Sequence, residues 1–346
     1  MRFGFSPTQA YPTFDPMLQQ SKLAESLGFD TIWTHEHHSQ AMTYPSPLMA
    51  LSVLAPHTQR VRLGTNMVLL PLYHPLRVAQ DAAMVDVLSG GRLILGVSAG
   101  YAPDEYDAFG VSLRQRGKRV REGLRLIRAV WREDPVTLEG LDGRLENFSL
   151  FPKPIQQPAP PIYVGALANA AIRRAAQWGD GYVLSAGSTL EQIRERADYY
   201  RQAVRDLGQD PAQRPLAVNR VMHVVNSQAA KLEAQQFFAE HFLHLYDSWG
   251  HEDIQQLGGG AREYEQTSQQ HFIIGEAAEC LELIHQYAEL GIGHIACLMN
   301  FGGPDLDRVE ASMRRFADKV MPHCPEPSVR SKVDAEKKCV NKNDRV

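Results

Sequence analysis

Thr31-Ile32-Trp33-Thr34-His35-Glu36-His37-His38 decides the fold. A short β-branched and aromatic run, the composition of a buried strand, breaks directly into three imidazoles and a carboxylate. The flanks are helical: apolar residues recur at three- and four-residue spacing over 16–27, which Gly28 closes, and over 47–55, which Pro47 opens.

The same strand–helix unit recurs outward from this stretch. Strands are expected at 2–5, 31–34, 62–69, 93–97, 162–164, 181–184, 216–225 and 294–298. Helices are expected between them at 16–27, 47–55, 75–88, 116–131, 168–178 and 190–206, with a split final pair. Alternation of this kind builds a parallel sheet, and eight strands is the number that closes a (β/α)8 TIM barrel of the α/β class. Gly28, Gly179, Gly208 and Gly291 each follow a helical run, the position of a left-handed cap.

Two stretches interrupt the alternation as insertions, one before strand 5 and one after strand 7. Residues 132–161 are rich in proline. Residues 226–273 carry Phe238, Phe242, Leu245 and Trp249 on one helical stripe, then Gly258-Gly259-Gly260 and a polar run. The stripe reads either as a core-packed helix or as part of a Gly-hinged lid over the barrel mouth. One domain is expected over 1–322. The charged tail 323–346 lacks apolar periodicity and is expected to be disordered.

The bulk numbers bound the function. With 346 residues and 44% apolar content the chain is long enough for one barrel-sized core. A net charge of −4, from 36 basic and 40 acidic residues, argues against nucleic-acid or membrane-surface partners. The cysteines Cys280, Cys297, Cys324 and Cys339 form no C-x-x-C pair and no secretory leader precedes them, so a reducing cytoplasm is expected. No apolar run is long enough to span a bilayer.

Catalytic groups of an α/β barrel stand at the carboxyl ends of its strands, where His35, Glu36, His37 and His38 follow strand 2. Histidine serves there as general base, general acid or metal ligand. A metal site built on His35-x-His37 needs ligands at other strand ends, yet Gly165-Ala166-Leu167 and Ser185-Ala186-Gly187 supply none, so no metal is expected. Small and polar residues in Gly64-Thr65-Asn66-Met67, and glycines around Gly96-Val97-Ser98-Ala99-Gly100, let a flat ligand lie against the backbone. His74-Pro75 also reads as an ordinary helix lead-in. Gly165, Ala166, Leu167 and Ala168 run into a helix whose first amides suit a phosphate, with Asn169, Arg173 and Arg174 close by. Asp180 reads as a turn residue.

As an ordered set, Glu36-His37-His38, Arg62-Leu63-Gly64-Thr65, Leu70-Pro71 with His74-Pro75, and Asp86-x-Leu88-Ser89-x-Gly91-Arg92 resemble the bacterial luciferase-like, flavin-dependent monooxygenase family. Gly179-Asp180-Gly181, Gly291-Ile292-x-His294 and Met299-Asn300-Phe301-Gly302-Gly303 resemble the wider family, and the resemblance covers 1–322. It implies catalytic His37 and Glu36, with Glu36 and Met67 beside the flavin ring. It also implies a cis peptide at Asn66–Met67 under the isoalloxazine, and cofactor contacts at Ser98, Gly165, Ala166, Leu167 and Ala168. Where luciferase has a cysteine and a phosphate-binding arginine, this chain has Ser98 and Ala99, so the phosphate falls to the 165–168 amides.

The implied activity is a two-component monooxygenase. Reduced FMN, supplied by a separate flavin reductase, and O2 would oxygenate a small organic substrate, aldehyde-like, ketone-like or of natural-product type; the flavin supplies the oxygen chemistry and the protein orients the substrate. No Gly-x-Gly-x-x-Gly fingerprint provides a nicotinamide domain of its own. Two alternatives stand beside this: a deazaflavin-dependent hydride transfer, and a non-catalytic flavin-binding subunit. A homodimer through the helices beside the first strands is a further implication of the family.

Overall fold

The computed structural model describes residues 1–9, 13–38, 43–141, 143–248, 261–300 and 305–325. In chain order the first half comprises β1 (Arg2–Phe5), α1 (Asp15–Leu27), β2 (Thr31–Thr34), α2 (Pro47–Leu54), β3 (Arg62–Thr65), β4 (Val68–Leu69), α3 (Pro75–Leu88), β5 (Leu93–Ser98), α4 (Pro103–Ala108) and α5 (Arg116–Arg132). Next come β6 (Val136–Gly140), β7 (Gly143–Phe148), β8 (Ile162–Gly165), α6 (Asn169–Trp178), β9 (Gly181–Leu184), α7 (Leu190–Asp206) and β10 (Leu216–Val224). The chain continues through α8 (Gln228–Ser248), α9 (Ala261–His271), β11 (Phe272–Gly275), α10 (Ala277–Glu289), β12 (His294–Leu298) and α11 (Leu306–Lys319).

Parallel pairing in the order β1-β2-β3-β5-β8-β9-β10-β12, with β12 returning to β1, closes an eight-stranded barrel. This is the expected (β/α)8 fold. Its interior is filled by inward residues of successive strands: Trp33, Ile94, Tyr163, Val183, Ala217 and Ala296 form one buried cluster. Trp33 is the largest of these and is 1% exposed. The strands on either side of β2 accommodate it with glycine, because a Cβ at Gly4 or Gly64 would stand 2.2 Å from the indole.

Three expectations need correction, and the first insertion carries structure of its own. The strand expected over 62–69 is two pieces, β3 and β4, because the cis Asn66–Met67 peptide turns the backbone between them. Gly179 is no left-handed cap: its φ is −90°, and a side chain is excluded instead because a Cβ would lie 2.7 Å from the Ala175 carbonyl. Gly28, Gly208 and Gly291 do adopt positive φ. The Pro-rich excursion holds an antiparallel hairpin, β6–β7, and its return is tied to α3 by Asp86, which accepts from the amides of Ile155 (2.8 Å) and Gln156 (3.0 Å). Finally, the end of the second insertion is β11, whose Phe272-Ile273-Ile274 run extends the sheet along β10.

Phe238 and Phe242 take the core-packed reading: both are buried with Val221, Phe272, Ile274 and Leu298. Trp249, Gly258-Gly259-Gly260, Phe301-Gly302-Gly303 and the tail beyond Pro325 lie outside the described residues. Among the described residues no helix is long and apolar enough to cross a membrane.

Gly96 faces the backbone of β3 so closely that a Cβ there would stand 1.9 Å from the Thr65 carbonyl oxygen and 2.8 Å from Met67 Sδ. Gly96→Ala is therefore expected to lower the unfolding free energy by about 2 kcal/mol or more, since overpacking must displace backbone. Urea titration checks this; an unchanged midpoint would show that β3 yields freely.

Candidate active site

The segments singled out in the sequence meet at the carboxyl end of the barrel. Residues 35–38 follow β2, Asn66–Met67 follow β3, Ser98 ends β5 and Gly165 ends β8. The Asn66–Met67 peptide is cis, as the resemblance implies. Met67 lies against Gly96 and Gly165: a Cβ on Gly165 would be 3.3 Å from Met67 Cγ and 3.4 Å from Ser98 Cβ. Two glycines and a short serine thus form a low floor beside the cis peptide, suited to a planar ring.

The three histidines do not converge. His35 turns inward, with Nε2 2.9 Å from Ser6 Oγ, while its backbone exchanges hydrogen bonds with the Gln9 amide at 2.7 and 3.0 Å. His37 Nδ1 lies 3.2 Å from Glu105 Oε1, and His38 Nε2 lies 3.1 Å from Glu36 Oε1. Glu105 stands on α4, straight after the β5 terminus. The same oxygen accepts the His38 amide at 2.8 Å, so one carboxylate fixes both the ring of His37 and the backbone beside it.

Glu36 is enclosed. At 2% exposure it accepts from Tyr73 Oη at 2.8 Å and from the Leu69 amide at 3.3 Å, besides facing His38. Phe109 covers that pair, its ring centroid 4.5 Å from His38's. Across the barrel, Asn66 and Asn219 exchange side-chain amide hydrogen bonds at 2.6 and 3.3 Å, which fixes the side chain beside the cis peptide. Arg220, wholly buried, donates to the carbonyls of Ser185, Ala186 and Ser188 and to Tyr287 Oη, anchoring the turn after β9.

The two acids differ electrostatically. Burial, outweighing the hydrogen bonds it accepts, raises the Glu36 pKa. Burial acts on Glu105 too, but the bonds from His37 and the His38 amide outweigh it and hold that carboxyl below its ordinary value. Glu105 is therefore the stable anion beside His37. An acceptor-only carboxylate selects the tautomer with Nδ1–H donating, which leaves Nε2 as the basic atom of His37.

At the fifth barrel strand, Ala168 caps α6 without a side-chain hydrogen bond, and the first turn of α6 carries no acid. Tyr182 Oη donates to the Ala166 carbonyl at 2.8 Å and so orients the 165–168 turn. Arg173 stacks on Tyr199 and Arg174 leans on Gly117 of α5, so neither guanidinium is drawn to the turn in this arrangement. Ser98 Oγ accepts the Gly100 amide, and Tyr106 Oη donates to the Ala99 carbonyl.

Several residues of the motif set serve the fold. His74 caps α3 through Nδ1, and Asp180 receives the Ile162 amide and pairs with Arg128. Arg92 spends its guanidinium on the carbonyls of Ala55, Thr58, Val61 and Ser89. Sequence reasoning missed Glu105, Tyr73, Asn219, Ser6, Gln9 and Arg220. Only Glu105 had a legible signal, an acid in a Pro103-Asp104-Glu105 helix start just past a strand end.

Residues 1–294 match the family model for luciferase-like monooxygenases. The chain is 28% identical over 333 residues to the oxygenase component of the flavin-dependent trigonelline monooxygenase of Acinetobacter baylyi, covering 91% of each. It is 27% identical to the F420-dependent glucose-6-phosphate dehydrogenase of Amycolatopsis mediterranei, covering 88% of this chain and 93% of that one. The crystal structure of monooxygenase RslO1 from Streptomyces bottropensis superposes with a TM-score of 0.82 at 27% identity, covering 93% and 99% of the two chains.

Burial first, then the charge of His37, push the His35 pKa from 6.5 down to about 4. A depressed histidine takes up a proton on unfolding, so its contribution is complete above pH 6.5 and is lost as pH falls towards 4. This amounts to something on the order of 3 kcal/mol. Urea unfolding of wild type and His35→Asn at pH 7 and pH 4.5 should show wild type losing more stability on acidification. Parallel losses would mean that His35 is solvated.

Proposed function

The chain belongs to the luciferase-like monooxygenase family, an oxidoreductase family, and on that premise we propose that it is the oxygenase of a two-component system that uses reduced FMN and O2. The observation that carries this reading is the shared strand-end placement of Met67, the Gly96–Gly165 floor beside it and the His37–Glu105 pair. Likeness to the oxygenase component of the trigonelline enzyme supports a separate reductase.

The residues present fit a flavin. Asn66, Met67 and Ser98 would hold the ring, and Gly165, Ala166, Leu167 and Ala168 would hold the phosphate through backbone amides at the start of α6. Reduced flavin, when bound, activates dioxygen. His37, its tautomer set by Glu105, moves a proton at Nε2 to or from the substrate or cofactor. Glu36 acts one layer back, holding His38, Tyr73 and the β4 backbone in place. The substrate is a small organic molecule, aldehyde-like, ketone-like or of natural-product type.

The F420-dependent relatives support a second reading, hydride transfer with a deazaflavin, in which the same floor and the same histidine would serve. For assembly, Met49 and Val53 on α2 and Met84, Val87 and Leu88 on α3 are exposed on two helices packed together, which supports a homodimer through this face. Val87→Asp should then run as a monomer in light scattering; an unaltered mass would place the contact elsewhere.

The purified protein is expected to consume dioxygen with chemically reduced FMN or with a flavin reductase present, and to leave a nicotinamide cofactor untouched alone. Unaided nicotinamide oxidation at a comparable rate would contradict the two-component scheme. His37→Ala should lower turnover by about 100-fold or more. Glu105→Gln should lower it less, because the amide can still hold the His37 ring but no longer fixes its tautomer. A turnover unchanged by His37→Ala would make that ring structural.

A further inference from the structure

β3 and β10 stand four strands apart whichever way the barrel is followed, so side chains that join them meet across its axis. Asn66, at the end of β3, and Asn219, in the middle of β10, do so. Asn66 Nδ2 donates to Asn219 Oδ1 at 2.6 Å, and Asn219 Nδ2 donates to Asn66 Oδ1 at 3.3 Å.

Alternation along β10 fixes the level of this pair. Ala217 belongs to the buried Trp33 layer, Asn219 is the next inward residue, and Val221 joins the cluster beneath α8. The barrel below the two amides is therefore filled. Asn219 is nonetheless only half-buried, as are Met67, Ser98 and Gly165 around the mouth. The space that Asn219 faces is the same one that the Met67 floor faces.

What the pair leaves over is chemically specific. A primary amide has two N–H donors and two acceptor lone pairs. The reciprocal exchange consumes one of each on either residue, which leaves each a donor and an acceptor side by side. Asn66 is buried, and its backbone N–H donates to the Thr34 carbonyl at 2.7 Å, so it is fixed on the β3 side. The outward capacity lies with Asn219, whose side chain bonds nothing besides Asn66 among the described residues. A ligand group that satisfies it must also carry an acceptor and a donor next to each other in one plane, as an imide does. A bare carbonyl would leave half of the amide unpaired. Asn66 is bonded to Met67 directly, so the pair is registered to the floor itself.

We propose that Asn219 is a specificity-determining binding residue that reads the imide edge, the adjacent C=O and N–H, of the ring accepted on the Met67–Gly165 floor. This rests on the ring reading of the site, and it holds for either ring, because FMN and deazaflavins share that edge. Asn66 is the positioning residue, holding the Asn219 amide on the axis through their two hydrogen bonds.

The test compares FMN with N3-methyl FMN, in which the imide donor is blocked, by fluorescence titration of the full chain. Wild type is expected to bind the methylated ring about 10-fold or more weakly. In Asn219→Ala that penalty should largely disappear, while FMN itself weakens by about 10-fold, since the side chain and the N–H report one interaction. Asn219→Ser keeps a small polar group on the axis and serves the same comparison should the alanine variant not fold. A methyl penalty of equal size in wild type and variants, with FMN tightly bound, would overturn the assignment and leave the ring reading intact. A deazaflavin and its N3-methyl analogue should give the same pattern if that ring is the one accepted. Wild type that binds neither ring would overturn both readings of the site, and this assignment with them.

Discussion

The indole of Trp33 on the barrel axis is the packing constraint from which the site follows. It is the largest fully buried side chain among the described residues, and β1 and β3 give up their side chains at Gly4 and Gly64 to admit it. With that layer plugged, the chain continues from Trp33 through Thr34 into residues 35–38, so the histidine segment stands on a filled floor. A smaller residue at this position would leave a void under residues 35–38 and destabilise the barrel by several kcal/mol, about 3–5 for Trp→Ala at a core site.

Above that floor two acids divide the work by environment. Glu36, closed in by Tyr73, the Leu69 amide and His38, ties β2 to β4 and leaves no oxygen facing outward. Glu105 arrives from α4 at the next strand but one, keeps its charge, and grips His37 and the His38 amide with a single oxygen. Two carboxylates with opposite pKa shifts, linked through the neighbouring His37 and His38, are an arrangement that marks candidate functional sites.

The barrel was legible because strand–helix alternation is a local pattern, and every barrel strand read from sequence is present. What escaped was set by tertiary contact. Phe272-Ile273-Ile274 is too short to announce a strand, and it becomes one by pairing with the far half of β10. The cis bond at Asn66–Met67 was implied only by resemblance, since no residue pattern marks a cis bond without proline, and the break in the strand expected over 62–69 was not foreseen. The histidine cluster marked the carboxyl end of the barrel, whereas its partners Tyr73 and Glu105 come from 37 and 68 positions away along the chain, and Asn219 reaches Asn66 across 153, beyond the reach of any spacing rule. The motif around Asp86 and Arg92 carries family likeness but its side chains hold loops, so motif specificity and catalytic role are separate properties.

The two proposed readings differ in the ring that the strand ends would accept. The most direct measurement titrates the protein anaerobically with reduced FMN and with a reduced deazaflavin, then admits dioxygen and follows its consumption. The account predicts tighter binding of reduced FMN and dioxygen consumption that depends on it and on His37. A clear preference for the deazaflavin, with no dioxygen consumed, would contradict it.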